Sequence, residues 1–337
     1  MDEKSLPPEI EASLRRLGVF AEGVPLAALR LTGGVSSDIW RVTGGDSSVC
    51  VKRAMPKLAV KDDWFAPVER NRYERQWYAT AGTRVPGTAP KVLAHDDAAM
   101  FFVMEYLDPA AYRLWKPELL VGKVDVTFAG IVGGKLAAIH AATAGDAEVA
   151  RAFPTDAIFE ALRLESYLRA TGRRHPDLAP RLEGLADRTA ATKKALVHGD
   201  VSPKNMLKGP AGHPVFLDAE CAWYGDPAFD LAFCLNHLLL KCLHAPAKTG
   251  EFLAAFDALR GAYVAGVTWE AAADVEGRTA ALLPGLLLAR VDGKSPVEYL
   301  TEEVQKESVR RVAIPLIREP PPALAAVRAA WAGEVGR

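Results

Sequence analysis

The sequence predicts an α+β fold of two lobes, a small antiparallel-sheet lobe over residues 1–107 and a larger, mainly helical lobe over 108–337. Three observations predict it. Five β-type runs with one intervening helical stretch fill the chain before residue 107. After Leu107-Asp108-Pro109 the apolar spacing changes to the helical period. Between Leu196 and Asp218 a loop, a strand, a reverse turn and a second strand interrupt the helices.

The bulk numbers are compatible with that architecture. The 337 residues are 50% hydrophobic and 25% charged, enough for a sizeable core without a disulfide framework. A formal net charge of −1 provides no global field to recruit nucleic acid or an anionic membrane. Cys50, Cys221, Cys234 and Cys242 show neither CxxC spacing nor a His at a zinc-site interval, so they read as core thiols of a reducing compartment. Residues 1–8 are polar and lack the apolar core of a secretion signal. The most apolar runs, 231–240 and 280–289, fall short of the about 20 residues that cross a bilayer. The expectation is a cytoplasmic protein with neither nucleic acid nor membrane as partner.

In chain order, Ile10, Leu14 and Leu17 recur at helical spacing behind Pro7-Pro8, and Gly18 is a stop. This amphipathic helix is expected to lie as a lid on the strands after it. LTGGVSSDIWRV (31–42) then reads as strand, small-residue turn and strand, and a GGDSS hairpin leads into Val49-Cys50-Val51-Lys52. The backbone N–H groups around Gly33, Gly34, Ser36 and Ser37 can cradle an anion, although a glycine hairpin is also simply a hairpin. Lys52 projects from an otherwise buried strand, either as an edge lysine reaching water or as a phosphate-gripping cation that a carboxylate must hold. On the helical stretch 68–79 either Glu69 or Glu74 could serve, and Tyr73, Trp77 and Tyr78 mark the inward face nearer Glu74. KVL (91–93) and MFFVMEY (100–106) are two more strands around an HDDAA turn. Helices are expected over 126–142 and 158–168. The segment 143–195 is charged, helical and chemically quiet, with Arg173-Arg174-His175 as a solvated turn.

The chemistry concentrates in LVHGDVSPKNML (196–207) and VFLDAECAWYGDPAFDLA (215–232). The GPAGHP turn brings Asp218 back beside Asn205, so Asp200, Asn205 and Asp218 converge as oxygen donors. Mg²⁺ takes oxygens in octahedral geometry, commonly one or two carboxylates completed by phosphate and water. Asn205 and Asp218 suit that role, and Asp200 is then free to accept a proton from an alcohol. Asp226 and Asp230 precede an apolar helix, where a carboxylate can cap the helix and brace a neighbouring loop through its backbone N–H groups. His198 reads as an imidazole packed beneath the loop.

HGDVSPKN followed by DAE and GDPAFDLA resembles the aminoglycoside phosphotransferase and choline kinase family, a branch of the protein-kinase-like fold. The glycine turn, Lys52, Glu74, the MEYL hinge and the LAAIH helix fall in the family's order, so the resemblance spans about residues 25–245. It implies an ATP-dependent, Mg²⁺-requiring kinase that phosphorylates a hydroxyl. Asp200 would orient and deprotonate the acceptor, Asn205 and Asp218 would hold Mg²⁺, and Glu220 would serve a second metal or the acceptor. Lys52, fixed by Glu74, would bind the α/β-phosphates, and Glu105 and Leu107 would offer backbone groups to adenine. His198, Asp226 and Asp230 would brace the catalytic loop. Ser202 stands where protein kinases carry a lysine, with Lys204 as the alternative cation.

Seven residues between Asp218 and Asp226 are too few for a segment that docks a polypeptide, so the expected partner is a small molecule with a hydroxyl. MEYLDPAAYRLWKPELLVGK and LLLARVDGKSPVEYL are similar to the layout of methylthioribose kinases, which implies a sugar-like acceptor with Arg290 or Asp292 reaching its pocket. Asn205 and Asp218-Ala219-Glu220-Cys221 depart from that subgroup, which carries Ser and DPEF there. Residues 248–311 hold ten acids and eight Lys or Arg, near balance, which ranks polycationic aminoglycosides below sugars and amino alcohols. The contrasting expectation, a catalytically silent nucleotide-binding module, is opposed by the presence of Lys52, Asp200, Asn205 and Asp218.

Overall fold

The structure, a computed structural model, describes residues 6–31, 37–55 and 67–336. Strands β1 (Leu26–Arg30), β2 (Ser37–Gly44), β3 (Ser47–Ala54), β4 (Val92–Asp96) and β5 (Phe101–Glu105) form an antiparallel sheet in the order β1-β2-β3-β5-β4. Alternation along β3 and β5 divides the side chains between two layers. Val51 and Val103 join Trp40, Val42 and Phe101 beneath Ile10 and Leu14 of the helix Pro8–Arg16. Cys50, Phe102 and Met104 face the other way, into the large core that includes Trp77 and Tyr78 of the helix Arg70–Arg84. Lys52 shares the parity of Cys50, so strand geometry alone directs it at that helix.

Three local expectations shift. Leu17 is exposed rather than packed, because the helix ends at Arg16 and Gly18 turns the chain away at φ +70°. β1 begins at Leu26, earlier than the LTGG signal, and pairs Leu26–Arg30 with Trp40–Gly44. β4 absorbs His95 and Asp96, and the Asp96 carboxylate instead accepts the N–H groups of Ala98 and Ala99 to make the turn.

The rest of the molecule is built on the helix Ala228–His244, whose residues 228–242 are all buried. A helix apolar on every side belongs at the centre of a core. The helices Val126–Thr143, Thr249–Ala265, Ala272–Asp292, Glu303–Arg318 and Leu324–Val335 surround it. Val126–Thr143 is, by length and composition, apolar enough to cross a membrane, but half of it is buried against its neighbours. Its Gly133 lies so close to Leu259 that a Cβ would overlap that carbonyl.

The stretch expected as an ordinary helix over 158–168 is a turn of α-helix, Asp156–Phe159, running into a π-helical segment, Glu160–Arg169. Five short strands complete the chain: β6 (Arg113–Leu114), β7 (Ala195–Val197), β8 (Met206–Lys208), β9 (Pro214–Phe216) and β10 (Trp223–Gly225). β7 pairs with β10, and β6, β8 and β9 form a second antiparallel sheet. The β7–β8 connection therefore carries His198, Asp200 and Asn205, and the β9–β10 connection carries Asp218 and Glu220. All four cysteines are buried free thiols.

Candidate active site

The loop leaving β7 is held by its own backbone. Gly199 has φ +80°, and a Cβ there would come within 2.5 Å of the Cys221 carbonyl oxygen, so both conformation and space demand glycine. Asp230, fully buried in the first turn of Ala228–His244, accepts the N–H of His198 at 2.7 Å and of Gly199 at 2.8 Å. His140 Nε2 lies 3.3 Å from the same carboxylate, and its Nδ1 is 2.7 Å from the Tyr263 hydroxyl. Removing Asp230 leaves two buried donors without an acceptor. Asp230→Ala is therefore expected to cost about 3 kcal/mol in a urea unfolding titration; a loss within experimental error would show that the loop holds its shape unaided.

Asp226 acts elsewhere. It accepts the Ala228 N–H at 3.0 Å and pairs with Arg278 at 3.0 Å, and Arg278 also grips Glu270. It accepts a first-turn N–H and ties the helix start to the C-terminal helices, and none of its side-chain hydrogen bonds or ion pairs among the described residues reaches the loop, contrary to the bracing role that the resemblance implied.

His198 joins the loop to the β8–β9 hairpin. Its Nδ1 accepts the Asp200 N–H at 3.1 Å, and its Nε2 lies 3.0 Å from the Leu217 carbonyl, to which it must donate. Burial holds its pKa below the ordinary imidazole value, so the ring is the neutral Nε2–H tautomer at neutral pH. The Trp77 ring meets it edge-on at 4.8 Å.

Asp200 is buried, and three donors converge on its Oδ2: Asn205 Nδ2 at 2.8 Å, Lys204 Nζ at 3.1 Å and Arg163 Nη2 at 3.1 Å. Its Oδ1 has no hydrogen-bond partner among the described residues. Burial opposes ionisation, but Lys204 and Arg163 outweigh it and hold the carboxyl below the usual carboxylate range. Lys204, not Ser202, is thus the loop's own cation against Asp200, and the Ser202 hydroxyl is buried with no hydrogen-bond partner among the described residues.

Arg163 corrects the reading of 143–195 as chemically quiet. It sits on the π-helical segment, donates through Nε to the Gly199 carbonyl, and reaches Asp200 as well. The signal available in the sequence was an arginine interrupting the apolar run of EALRLESYL. π-Helical turns occur disproportionately at functional sites.

Lys52 reaches across from the sheet. Its Nζ lies 2.7 Å from Glu74 Oε1 and 2.5 Å from Asp218 Oδ1. Tyr78 closes the circuit, donating its hydroxyl to Glu74 at 2.6 Å and accepting the Asp218 N–H at 2.7 Å. Burial alone would discharge Lys52, but Asp218 and Glu74 raise its pKa, and Lys52 in turn holds the Asp218 carboxyl far below the usual range. Glu69 is exposed just before the helix and takes no part. Asp218 has φ +64°, a backbone conformation that Asp tolerates better than most residues.

Asn205 donates its amide to the Asp200 carbonyl as well as the carboxylate, and its own carbonyl accepts the Leu217 N–H at 2.8 Å. That use of Nδ2 leaves Oδ1 as the oxygen to offer a cation. Among the described residues no three His, Cys, Asp or Glu cluster into a ready-made metal cage. One carboxylate and one amide oxygen make a sparse set, which suits Mg²⁺ completed by phosphate and water. Glu220 is not an open third ligand: Arg70 Nε donates to it at 2.9 Å from a fully buried position.

Gly33, Gly34 and Ser36 lie outside the described residues. Ser37 opens β2, buried opposite Ala54. Glu105 closes β5; its carboxylate accepts the Lys91 N–H at 2.8 Å and its own N–H donates to the Lys91 carbonyl at 3.0 Å, which leaves the backbone carbonyl as its candidate group for a ligand. Leu107 follows half-buried. Arg290 lines a cleft beside Pro203 and Lys204. Asp292 points elsewhere, paired with Arg310 at 2.7 Å and His175 at 2.9 Å, so the acceptor role suggested for it falls away and His175 is no longer a free surface residue.

Residues 27–241 match the profile of the phosphotransferase enzyme family. Methylthioribose kinases of Geobacillus sp. (strain WCH70) and Geobacillus kaustophilus (strain HTA426) are each 25% identical, over 268 and 272 residues, covering 70% of this chain in both cases. The chain spans 65% and 66% of their lengths, just under two thirds. Among solved structures, the macrolide 2'-phosphotransferase MphH of Brachybacterium faecium superposes with a TM-score of 0.51 at 19% identity, covering 94% of this chain and 99% of that one. A choline/ethanolamine kinase family protein from Mesorhizobium loti gives 0.51 at 17%, covering 96% and 98%. At such identities these likenesses speak for the bilobal, protein-kinase-like fold.

Proposed function

The chain belongs to the phosphotransferase enzyme family, and from that premise we propose that it is an ATP-dependent kinase transferring the γ-phosphate to a hydroxyl of a small acceptor. The observation that carries this reading is the 2.5 Å pairing of Lys52, on the sheet, with Asp218, on the hairpin beside Asp200. It supports a reading in which a phosphate-binding cation, a metal-binding carboxylate and a proton acceptor act side by side.

Lys52, positioned by Glu74 and Tyr78, would grip the α/β-phosphates. Asp218 and Asn205 would hold Mg²⁺, which when bound neutralises charge on the phosphate oxygens. The backbone at Glu105 and Leu107 would meet adenine near the lobe boundary at residue 107, with Gly33, Gly34, Ser36 and Ser37 over the phosphates. Asp200 would receive the acceptor hydroxyl on Oδ1 and take its proton as the new P–O bond forms and the bridging P–O bond to the β-phosphate breaks, with ADP as the leaving group. Because its pKa is held low, Asp200 is a weak base at neutral pH, and its main contribution is orientation. The likeness to methylthioribose kinases supports a sugar-like acceptor.

The test is an ATP-consumption screen of the purified chain over sugars, amino alcohols and aminoglycosides, with and without Mg²⁺. Acceptor-dependent, Mg²⁺-dependent turnover is expected. Silence in every arm, together with no thermal protection by Mg²⁺-ATP, would overturn the reading.

A further inference from the structure

The cleft beside the catalytic loop is walled by cations. Lys116, Lys204, Lys241 and Arg290 line it together with His237, Tyr299 and a single carboxylate, Glu298. Glu298 is taken by Lys116 at 2.5 Å, and Lys204 is taken by Asp200. Lys241 and Arg290 have no carboxylate partner among the described residues. Lys241 is only 1% exposed, with Nζ resting 4.4 Å from the centre of the Tyr299 ring. Arg290 is buried as well, and its Nη1 meets only neutral oxygens, those of Tyr167 and Ser295. Two further polar atoms are buried there with no hydrogen-bond partner, Arg290 Nε and His237 Nε2.

Two buried basic groups beside a cleft, where the one carboxylate is already taken by Lys116, are costly to hold charged, and a bound anion would offset that cost. Because Pro203 and Lys204 form one wall, an anion seated between Lys241 and Arg290 would place the remainder of its molecule toward Asp200. We infer that the acceptor carries an anionic group, a carboxylate or a phosphate, held by Lys241 and Arg290 while its hydroxyl lies at Asp200. The inference rests on the kinase reading and names the substrate class of that site: a hydroxy acid or a sugar phosphate, in place of an amino alcohol or an aminoglycoside. A cationic acceptor would add like charge to a wall where four basic side chains stand beside one carboxylate.

The titration behaviour of the lysine agrees. Burial first, then Lys116 and, more weakly, Arg290 push Lys241 down to about 7 against the opposing charge of Glu298. Between that value and 10.5 the unfolded chain binds the proton that the folded chain has released, so stability gains from this residue as pH rises through the window.

The acceptor screen therefore needs separate arms for hydroxy acids, sugar phosphates, neutral sugars, amino alcohols and aminoglycosides. Turnover is expected in one or both anionic arms, and which of them responds tells carboxylate from phosphate. Lys241→Met and Arg290→Gln should then raise KM for that acceptor at least about tenfold, the loss of one charged contact, with KM for ATP unchanged. Turnover confined to neutral or cationic arms overturns the inference and leaves the kinase reading standing. If every arm is silent, inorganic phosphate titrated into the Mg²⁺ complex of a non-hydrolysable ATP analogue decides the matter. Phosphate binding weakened tenfold by Lys241→Met upholds the anion site, and absent or unaltered binding overturns it. Failure to bind the nucleotide analogue at all would instead count against the kinase reading. Lys241→Met should fold, since it removes only a buried, like-charged ammonium, and it should melt higher than the parent at pH 7 and lose the gain in stability between pH 7 and 10.5.

Discussion

Asp200→Asn is expected to lower kcat on the order of a thousandfold while Mg²⁺-ATP binds nearly as before. The substitution preserves shape but reverses a hydrogen bond. Oδ2 of Asp200 accepts from Asn205, Lys204 and Arg163, so the single oxygen of an asparagine must stay on that side. Its NH₂ then occupies the place of Oδ1 and offers a donor where an alcohol needs an acceptor. The hydroxyl loses both its orienting partner and its proton sink. In the proposed assignment the nucleotide contacts belong to other residues, so single-turnover rates and nucleotide titrations should separate cleanly. A variant that no longer binds Mg²⁺-ATP would show that Asp200 shapes the site rather than receiving the acceptor.

Removal of the Asp218 carboxylate should do the opposite, weakening Mg²⁺-ATP by about 2–3 kcal/mol, or roughly 30- to 150-fold, the scale of a lost charge-assisted contact. Asp218→Ala adds backbone strain at φ +64°, so Asp218→Asn, which tolerates that conformation, is the informative companion. Both variants also strip Lys52 of one of its two carboxylate partners. The Mg²⁺ concentration needed for half-maximal nucleotide binding should rise in each. If it does not move, Asp218 is a partner of Lys52 and not a metal ligand. Asp200 and Asp218 share a pH signature: each carboxyl ionises below its unfolded value of 3.8. Their contribution to stability is therefore complete above that value and lost as pH falls through the lower, folded one.

Much of this site was legible because it is local. Asp200, Asn205 and Asp218 lie on two adjoining turns, and strand alternation with helix periodicity suffices to aim Lys52 at Glu74. What could not be read depended on which way distant helices turn. Arg163 reaches the loop from 36 residues upstream, on a π-helical segment whose pitch no apolar period announces. Glu220 meets Arg70 across 150 residues, which converts an apparent third ligand into half of an ion pair. Asp292 and Arg290 stand two apart on one helix, a spacing that puts them on different faces, so only one of them can reach the cleft. Asp226 and Asp230 sit together in sequence, yet only the one in the first turn of the helix faces the loop.

The connection from the β8–β9 hairpin to the central helix also bears on how output would be controlled. Residues 219–230 are buried without exception, contain neither Ser nor Thr, and commit their one Tyr hydroxyl to the Lys194 carbonyl at 3.0 Å. Kinases that are switched by modification order a flexible segment at this place with an added phosphate. Here a modifying enzyme would find no accessible hydroxyl, and the stretch is already ordered. Under the kinase reading proposed above, output would follow the supply of the two substrates and not a modification of this stretch.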